Sequence, residues 1–294
     1  MGNEDLGNHY QAIGDLPKAF EAFGRMRQDV SMPKHIIDVS RHLIEVGIDQ
    51  RNWIAVVSNA QKIRSIQASI TDDKSTQQYL AAAEGLANID AEQYYAAALS
   101  FISAEPGMGS SCNAIISPND IAVYGGLCAL ASMDRTELHK KVLENSNFRT
   151  YLELEPHIRR AITFFVNSRY TACLDILEAY RADYLLDIHL HKHVEELYYM
   201  IRSKSIVQYF IPFSCVTLDS LNSAFAAPGK SIEKELSTMI LRNQLDARID
   251  TQNKVCYHSP VCTARTDTVT APHLDPDRTA FYDAGRGAQD SQGV

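Results

Sequence analysis

Positive charge is in short supply in this chain. Its 294 residues carry 28 Lys and Arg against 36 Asp and Glu, a formal net charge of −8. That balance argues against a dedicated nucleic-acid binder, which must neutralise phosphates. It argues equally against a polybasic membrane anchor. Glycine (14) and proline (10) are scarce, which excludes collagen-like and proline-rich low-complexity chains. Long apolar runs are missing too. The most nearly apolar window, 121–131, contains Tyr124, Gly125 and Gly126 and falls short of the roughly 20 residues a membrane span needs. Met1 to Leu6 has no basic n-region and no apolar h-region, and Leu6 stands where a myristoylation signal wants Ser or Thr. A soluble, intracellular chain is expected.

Six cysteines are scattered at 112, 128, 173, 215, 256 and 262, without a CxxC pair. The nearest two, Cys256 and Cys262, flank His258. Structural zinc sites use tighter paired spacings, so these residues read as small apolar side chains. What the chain does have is a globular balance, 45% apolar and 22% charged, in a length suited to one large domain or two modest ones.

Repeats organise the first half. In residues 6–33, Leu6-Gly7, Tyr10, Gly14, Ala19 and Phe23 follow the tetratricopeptide spacing, with Pro33 one place late. Small Gly7 and Ala19 let two antiparallel helices approach, and Tyr10 and Phe23 fill the groove. A single repeat cannot bury its own face, so neighbours must follow. Ile36, Ile37, Leu43, Ile44 and Ile48 form the next stripe, then Trp53, Val56, Val57, Ile63 and Ile66. Segments 77–87, 92–104, 121–131, 148–151, 158–165 and 170–180 continue the helical period. Breaks are expected at Gly47, Asp72-Asp73, Pro106-Gly107 and Pro118, with Asn119-Asp120 capping the helix near Ile121. No stretch before residue 245 alternates like a strand.

The C-terminal third reads differently. Residues 194–211 predict one helix, stopped by Pro212. Thr217 caps a short helix with Leu218, Leu221 and Phe225 inward, Pro228-Gly229 turns the chain, and Ser231 caps a second helix carrying Ile232, Leu236, Met239 and Ile240. Leu245, Ala247 and Ile249 then alternate with polar residues, a loop follows at 250–253, and Val255 and Tyr257 alternate again. Helix, helix, helix and hairpin is the order of a winged helix. Residues 259–294, rich in Thr, Asp, Ala, Gly and Pro, read as a disordered tail.

Helical repeats running into a C-terminal winged helix resemble a PCI-domain protein. The stretches 34–65, NDIAVYGGLCALASMDRTEL (119–138), FRTYLELEPHIRR (148–160) and SIVQYFIPFSCVTLDSLNSAF (205–225) are similar to the subunit 1 family of the COP9 signalosome. The similarity runs in order over about residues 1–258. It implies an all-α fold: a right-handed solenoid of TPR-like helical repeats, then a winged helix with a small β-hairpin. The implied domains are a repeat arm over 1–118 and a PCI domain over 119–258, with the winged helix at about 194–258. Two departures stand out. The chain opens directly on the repeat, and a polar tail follows where the family has an assembly helix. A shortened or variant form is therefore expected.

The resemblance implies a non-catalytic scaffold without a cofactor, in the cytoplasm and nucleus. The implied partners are other PCI-domain subunits, the metalloprotease subunit of the complex, and the cullin-RING ubiquitin ligases from which the complex removes Nedd8. The paralogous proteasome-lid subunit is the alternative within the fold. A winged-helix nucleic-acid binder is the alternative of another class, disfavoured because Lys234 and Arg242 on the second helix are offset by Glu233 and Glu235.

Other chemistry is poorly supplied. His189, His191 and His193 precede Glu195-Glu196, but on a helix only His189 and His193 would share a face, and the metalloprotease pattern of HxH with a downstream SxxD is not completed. Gly107-Met-Gly109-Ser-Ser-Cys112 lacks GxGxxG and the P-loop lysine, and GxSxG is missing. Each adjacent pair Tyr94-Tyr95, Phe164-Phe165 and Tyr198-Tyr199 should split between core and repeat interface. The candidate contact surface is instead the exposed edge of the hairpin, whose unpaired N–H and C=O groups can extend a partner's sheet. Arg248, Asp250, Lys254 and Tyr257 are the expected partner-binding residues there.

Overall fold

Paired antiparallel helices build most of the chain in the computed structural model, which describes residues 2–67, 74–105, 114–225 and 231–258. In order they are α1 (Gly2–Ala12), α2 (Leu16–Met26), α3 (Pro33–Asp49), α4 (Trp53–Gln67), α5 (Lys74–Asp90), α6 (Tyr94–Ile102) and α7 (Pro118–Ser132). A short α8 (Arg135–Glu137) runs into a π-helical turn, Leu138–Leu143. Then come α9 (Ser146–Leu154), α10 (Pro156–Val166), α11 (Tyr170–Leu185) and α12 (Val194–Phe210). The winged helix follows: β1 (Cys215–Thr217), α13 (Leu218–Phe225), α14 (Glu233–Leu241), β2 (Ala247–Asp250) and β3 (Val255–His258). These residues belong to one compact unit, Met1–Ser259.

The turns between paired helices share one device. Gly14, Arg51, Glu92 and Ser168 each take a left-handed conformation after a helix, with φ between 56° and 81°. The next residue then donates its N–H back to a helix carbonyl: Asn52 to Gly47 at 2.8 Å, Gln93 to Asn88 at 2.9 Å, Arg169 to Phe164 at 2.8 Å. Such closure satisfies the carbonyls a helix end leaves open. Only one of the four is glycine, so the sequence did not mark the others. Gly47 does not break a helix: it lies inside α3, where a Cβ would approach Val56 to 3.0 Å. Pro118 likewise starts α7. The cap is Ser117, whose hydroxyl accepts the Asp120 N–H while the Asp120 carboxylate accepts the Ser117 N–H. Asp120 is thus the reciprocal partner, not the cap, and Asn119 reaches Glu155 at 2.6 Å. Asp72-Asp73, Pro106-Gly107, Pro228-Gly229 and the tail lie outside the described residues.

Packing follows small-against-large contacts. A Cβ on Gly7 would lie 2.5 Å from the Phe23 ring, so α1 can approach α2 only because residue 7 has no side chain. Tyr10 packs beside them, and Phe23 also stacks on His42 at 4.7 Å. In α7, a Cβ on Gly126 would meet Ile158 of α10 at 2.3 Å. Phe23, Val39, Leu43 and Val46 belong to a small core among α2 and α3. The main core runs from Ile44 through Phe101, Phe148 and Phe165 to Phe210, Leu236 and Cys256. Of the aromatic pairs, Tyr94 and Phe165 are buried, Tyr95 is exposed and Phe164 half-buried; Tyr198 and Tyr199 are both half-buried. Cys128, Cys173 and Cys256 are buried and free, consistent with apolar roles. No helix among the described residues is long and apolar enough to cross a membrane.

Candidate partner interface

The winged helix is anchored before it is displayed. Arg202, midway along α12, donates from Nε and Nη2 to the Glu235 carboxylate of α14 at 2.6 and 2.9 Å. The same Nη2 donates to the Phe225 carbonyl at the end of α13, 2.6 Å away. One guanidinium therefore fixes both short helices to the long one. Thr217 caps α13 by accepting the Ser220 N–H at 3.2 Å, whereas the cap position of α14 is Ile232, and Ser231, one place earlier, accepts the Glu233 N–H at 3.3 Å. Leu218, Leu221, Phe225, Ile232, Leu236 and Met239 face inward as the period requires.

The sheet has three antiparallel strands in the order β1-β3-β2, not two. β1 is a strand before residue 245 that alternation did not reveal. Three residues cannot display a period, and the strand exists only because β3 pairs with it. Register aligns Arg248 with Tyr257 and Tyr257 with Cys215; the next outer row is Asp250, Val255 and Thr217. The inner row is Ile249, Cys256 and Val216, with Cys256 fully buried. On β3 it is therefore Cys256, not Val255 or Tyr257, that faces the core.

Three of the four expected contact residues come together. Arg248, Asp250 and Tyr257 share the outer face, and Tyr257 is 41% exposed. β3 is the central strand, so Tyr257 offers its ring and no free backbone edge; β2 and β1 are the edge strands among the described residues. Asp250 is already engaged: its carboxylate accepts the N–H groups of Gln252 and Asn253 at 2.9 and 3.1 Å and the Asn253 amide at 2.8 Å. The Asn253 backbone bond foremost holds its carboxyl below the usual range. Lys254 sits in the turn at φ 53°, and its carbonyl accepts the Leu218 N–H at 2.8 Å, tying the hairpin to α13. On α14, Arg242 donates to the Tyr199 hydroxyl at 3.1 Å and Glu235 serves Arg202.

The histidine run is not on a helix. Residues 187–193 form turns before α12, so no helical face aligns them. His189 lies edge-on to Trp53 and Tyr124, both at 6.4 Å. His193 is buried elsewhere, its Nδ1 3.2 Å from the Tyr94 hydroxyl. His191 is exposed and meets the carbonyls of Asp187 and Ile188. Burial lowers the basicity of both His189 and His193. No group of three or more His, Cys, Asp and Glu among the described residues is placed to hold a metal ion. The glycine-rich 107–112 segment lies outside the described residues.

Residues 1–141 match the family described as 26S proteasome subunit RPN7, and residues 177–260 match the PCI domain. The COP9 signalosome complex subunit 1 of Neurospora crassa is 51% identical over 255 residues, 86% of this chain and 60% of that protein. This chain contains a PCI domain and is a relative of COP9 signalosome subunit 1. The Emericella nidulans subunit 1 is 48% identical, over 87% of this chain and 53% of its own length. The chain thus spans 53–60% of the length of these two relatives. Rice 26S proteasome non-ATPase regulatory subunit 6 is 22% identical over 94% of this chain, a more distant paralogue.

Within the PCI domain, the sequence pointed to the hairpin but not to what holds it. Arg202 is one of two cations on α12, with Lys204, and nothing local distinguishes it. Its partners lie 23 and 33 residues away. β1 left one faint signal, the β-branched Val216-Thr217 shortly after Pro212.

Proposed function

We propose that this chain is a non-catalytic scaffold subunit of the COP9 signalosome, supporting removal of Nedd8 from cullin-RING ubiquitin ligases. The helical repeats hold the winged helix at a fixed angle, and the β2 edge joins the sheet of a neighbouring PCI subunit. Isopeptide cleavage belongs to a separate metalloprotease subunit of the assembled complex. Other PCI subunits, that metalloprotease and cullin-RING ligases are the partners, in cytoplasm and nucleus. The observation that carries this reading is a strand, β2, at the sheet's edge among the described residues, on a winged helix clamped to its supporting helix by Arg202. An edge of this kind binds through main-chain groups, with side chains on the adjoining face selecting the partner.

Affinity purification of the chain from its own cells, read by mass spectrometry, tests the assignment. PCI subunits together with the metalloprotease and cullins are expected. Proteasome-lid subunits in their place would transfer the chain to its paralogue's complex. Charge reversal at Arg248 with Lys254 is expected to weaken co-assembly while leaving the melting temperature unchanged. Full assembly of that folded double variant would remove the hairpin from the interface.

A further inference from the structure

Four large apolar side chains among the described residues are more than two-thirds exposed: Ile54 (85%), Leu186 (85%), Leu241 (84%) and Ile188 (71%). Three of them sit where two distant segments meet. Arg51, in the α3–α4 turn, donates from Nη2 to the Ile188 carbonyl at 2.7 Å across 137 positions of sequence. Next to it the Trp53 ring lies edge-on to His189. Ile54 follows Trp53, while Leu186 and Ile188 flank Asp187, which accepts the Tyr124 hydroxyl at 2.8 Å. Large apolar side chains left this exposed on both sides of a junction suit a surface on which another molecule sits.

A cavity of about 440 Å³ opens at this junction, walled by Glu45, Asp49, Arg51, Ile115, Ile188 and His189 among others. That volume falls in the range of ligand pockets and leaves room for a long side chain together with part of its backbone. Its charges are unequal. Glu45 and Asp49 bring two carboxylates, whereas the one guanidinium is engaged with the Ile188 carbonyl. Burial, with Arg51 beside it, keeps His189 below its ordinary basicity, so the ring offers an acceptor. Its Nδ1 is buried without a hydrogen-bond partner, as is Trp53 Nε1. Glu45 has His42 3.9 Å away, the Arg41 guanidinium nearby and a hydrogen bond with Tyr79, yet burial still pushes its carboxyl up, with Asp49 adding to the effect. Asp49 accepts one long bond, from Gln11 at 3.4 Å. Asp49 and His189 Nδ1 are thus the under-used acceptors at the cavity, and polar groups of this kind seek a partner.

The geometry points to a docking site for a protein segment that presents a lysine or arginine side chain between apolar ones. The aliphatic stem lies against Ile115 and Ile188, the cationic head reaches Glu45 and Asp49, and His189 Nδ1 accepts one of its protons. Ile54 and Leu186 receive the flanking apolar residues. Charge complementarity selects this occupant over an acidic segment, which would face two carboxylates. The site stands apart from the winged helix and does not depend on the assembly reading above.

Trp53 is the only tryptophan, so its emission reports the site directly. Three synthetic peptides, identical in their apolar residues and carrying Lys, Gln or Glu at the centre, are titrated against the full chain. The lysine peptide is expected to shift Trp53 emission and to bind about ten-fold more tightly than the glutamine peptide, with the glutamate peptide weaker still. Glu45→Gln with Asp49→Asn should bring the lysine and glutamine peptides to equal affinity. Leu186→Ser with Ile188→Ser should weaken all three. If the carboxylate double variant melts early, Asp49→Asn alone makes the same test, since that side chain receives only Gln11. Equal binding of the three peptides, binding of none, or a lysine preference that survives loss of the carboxylates would overturn the proposal.

Discussion

Replacing Arg202 with methionine should loosen the winged helix while leaving the repeats intact. Methionine keeps most of the stem, so what disappears is the guanidinium and its three hydrogen bonds to Glu235 and the Phe225 carbonyl. A hydrogen bond is worth roughly 0.5–1.5 kcal/mol net, and more when charged. The Arg202 and Glu235 side chains are 32% and 27% exposed, so water compensates part of the loss. The cost should come to about 1–3 kcal/mol, and it should fall on α13 and α14, which meet α12 at this residue. Hydrogen exchange read by mass spectrometry shows where the loss lands. Amides of α13 and α14 should exchange about ten- to a hundred-fold faster, because each 1.4 kcal/mol is a factor of ten in an opening equilibrium. Amides of α1 to α4 should not change. Glu235→Gln, which retains an acceptor, should show a smaller effect of the same pattern. Unchanged exchange in α13 and α14 would refute the clamp. Equal acceleration in α1 to α4 would show that Arg202 supports the whole unit rather than the winged helix.

Gly126→Ala sets a gain of about 1 kcal/mol in helix propensity against overpacking of about 1–3 kcal/mol, since the new Cβ would lie 2.3 Å from Ile158. Net destabilisation of about 0–2 kcal/mol in urea unfolding is expected, and a stabilised variant would show that α7 and α10 separate freely. Burial lowers the basicity of His157, His189 and His193 below the ordinary value of 6.5. The unfolded chain therefore binds more protons below that pH. Their contribution to stability is complete above about pH 6.5 and is lost as pH falls toward the folded-state values. Thermal melting should thus decline as pH falls from 7 through the histidine range, while Glu45 and Glu84, shifted the opposite way by burial, oppose the decline where they take up protons. A flat profile over that interval would contradict the burial of these rings.

Much of the fold was legible because the rules that announce it act over a few residues. The Thr217 cap and the inward faces of α13 and α14 each follow from neighbours within one or two helical turns, and Gly7 against Phe23 follows from the spacing of one helical repeat. The hairpin was legible for the same reason, though its third strand and the inward Cys256 were not, and the structure puts Arg248, Asp250 and Tyr257 on one face of it. It went wrong where a local sign had two outcomes. Gly47 is as useful for close helix approach as for a break, and packing against Val56 selected the first. The histidine run suggested a helical face only on the assumption that the helix begins at or before His189; it begins at Val194.

By itself the sequence determined the class of the molecule: helical hairpins stacked from the N-terminus, a winged helix at the end, and a resemblance to signalosome subunit 1 that comparison with known proteins upholds. Tertiary structure alone decided what depends on residues far apart. β1 is a strand because β3 lies beside it. Arg202 is a clamp because the end of α13 and the first turn of α14 meet at its guanidinium. Arg51 and Ile188 frame a cavity because the stack brings the α3–α4 turn onto the loop before α12. Periodicity and capping are enforced by the chain's own geometry within a few residues. Pairing across tens or hundreds of positions has no local signature, because its energy appears only once the core has closed and brought the partners into reach.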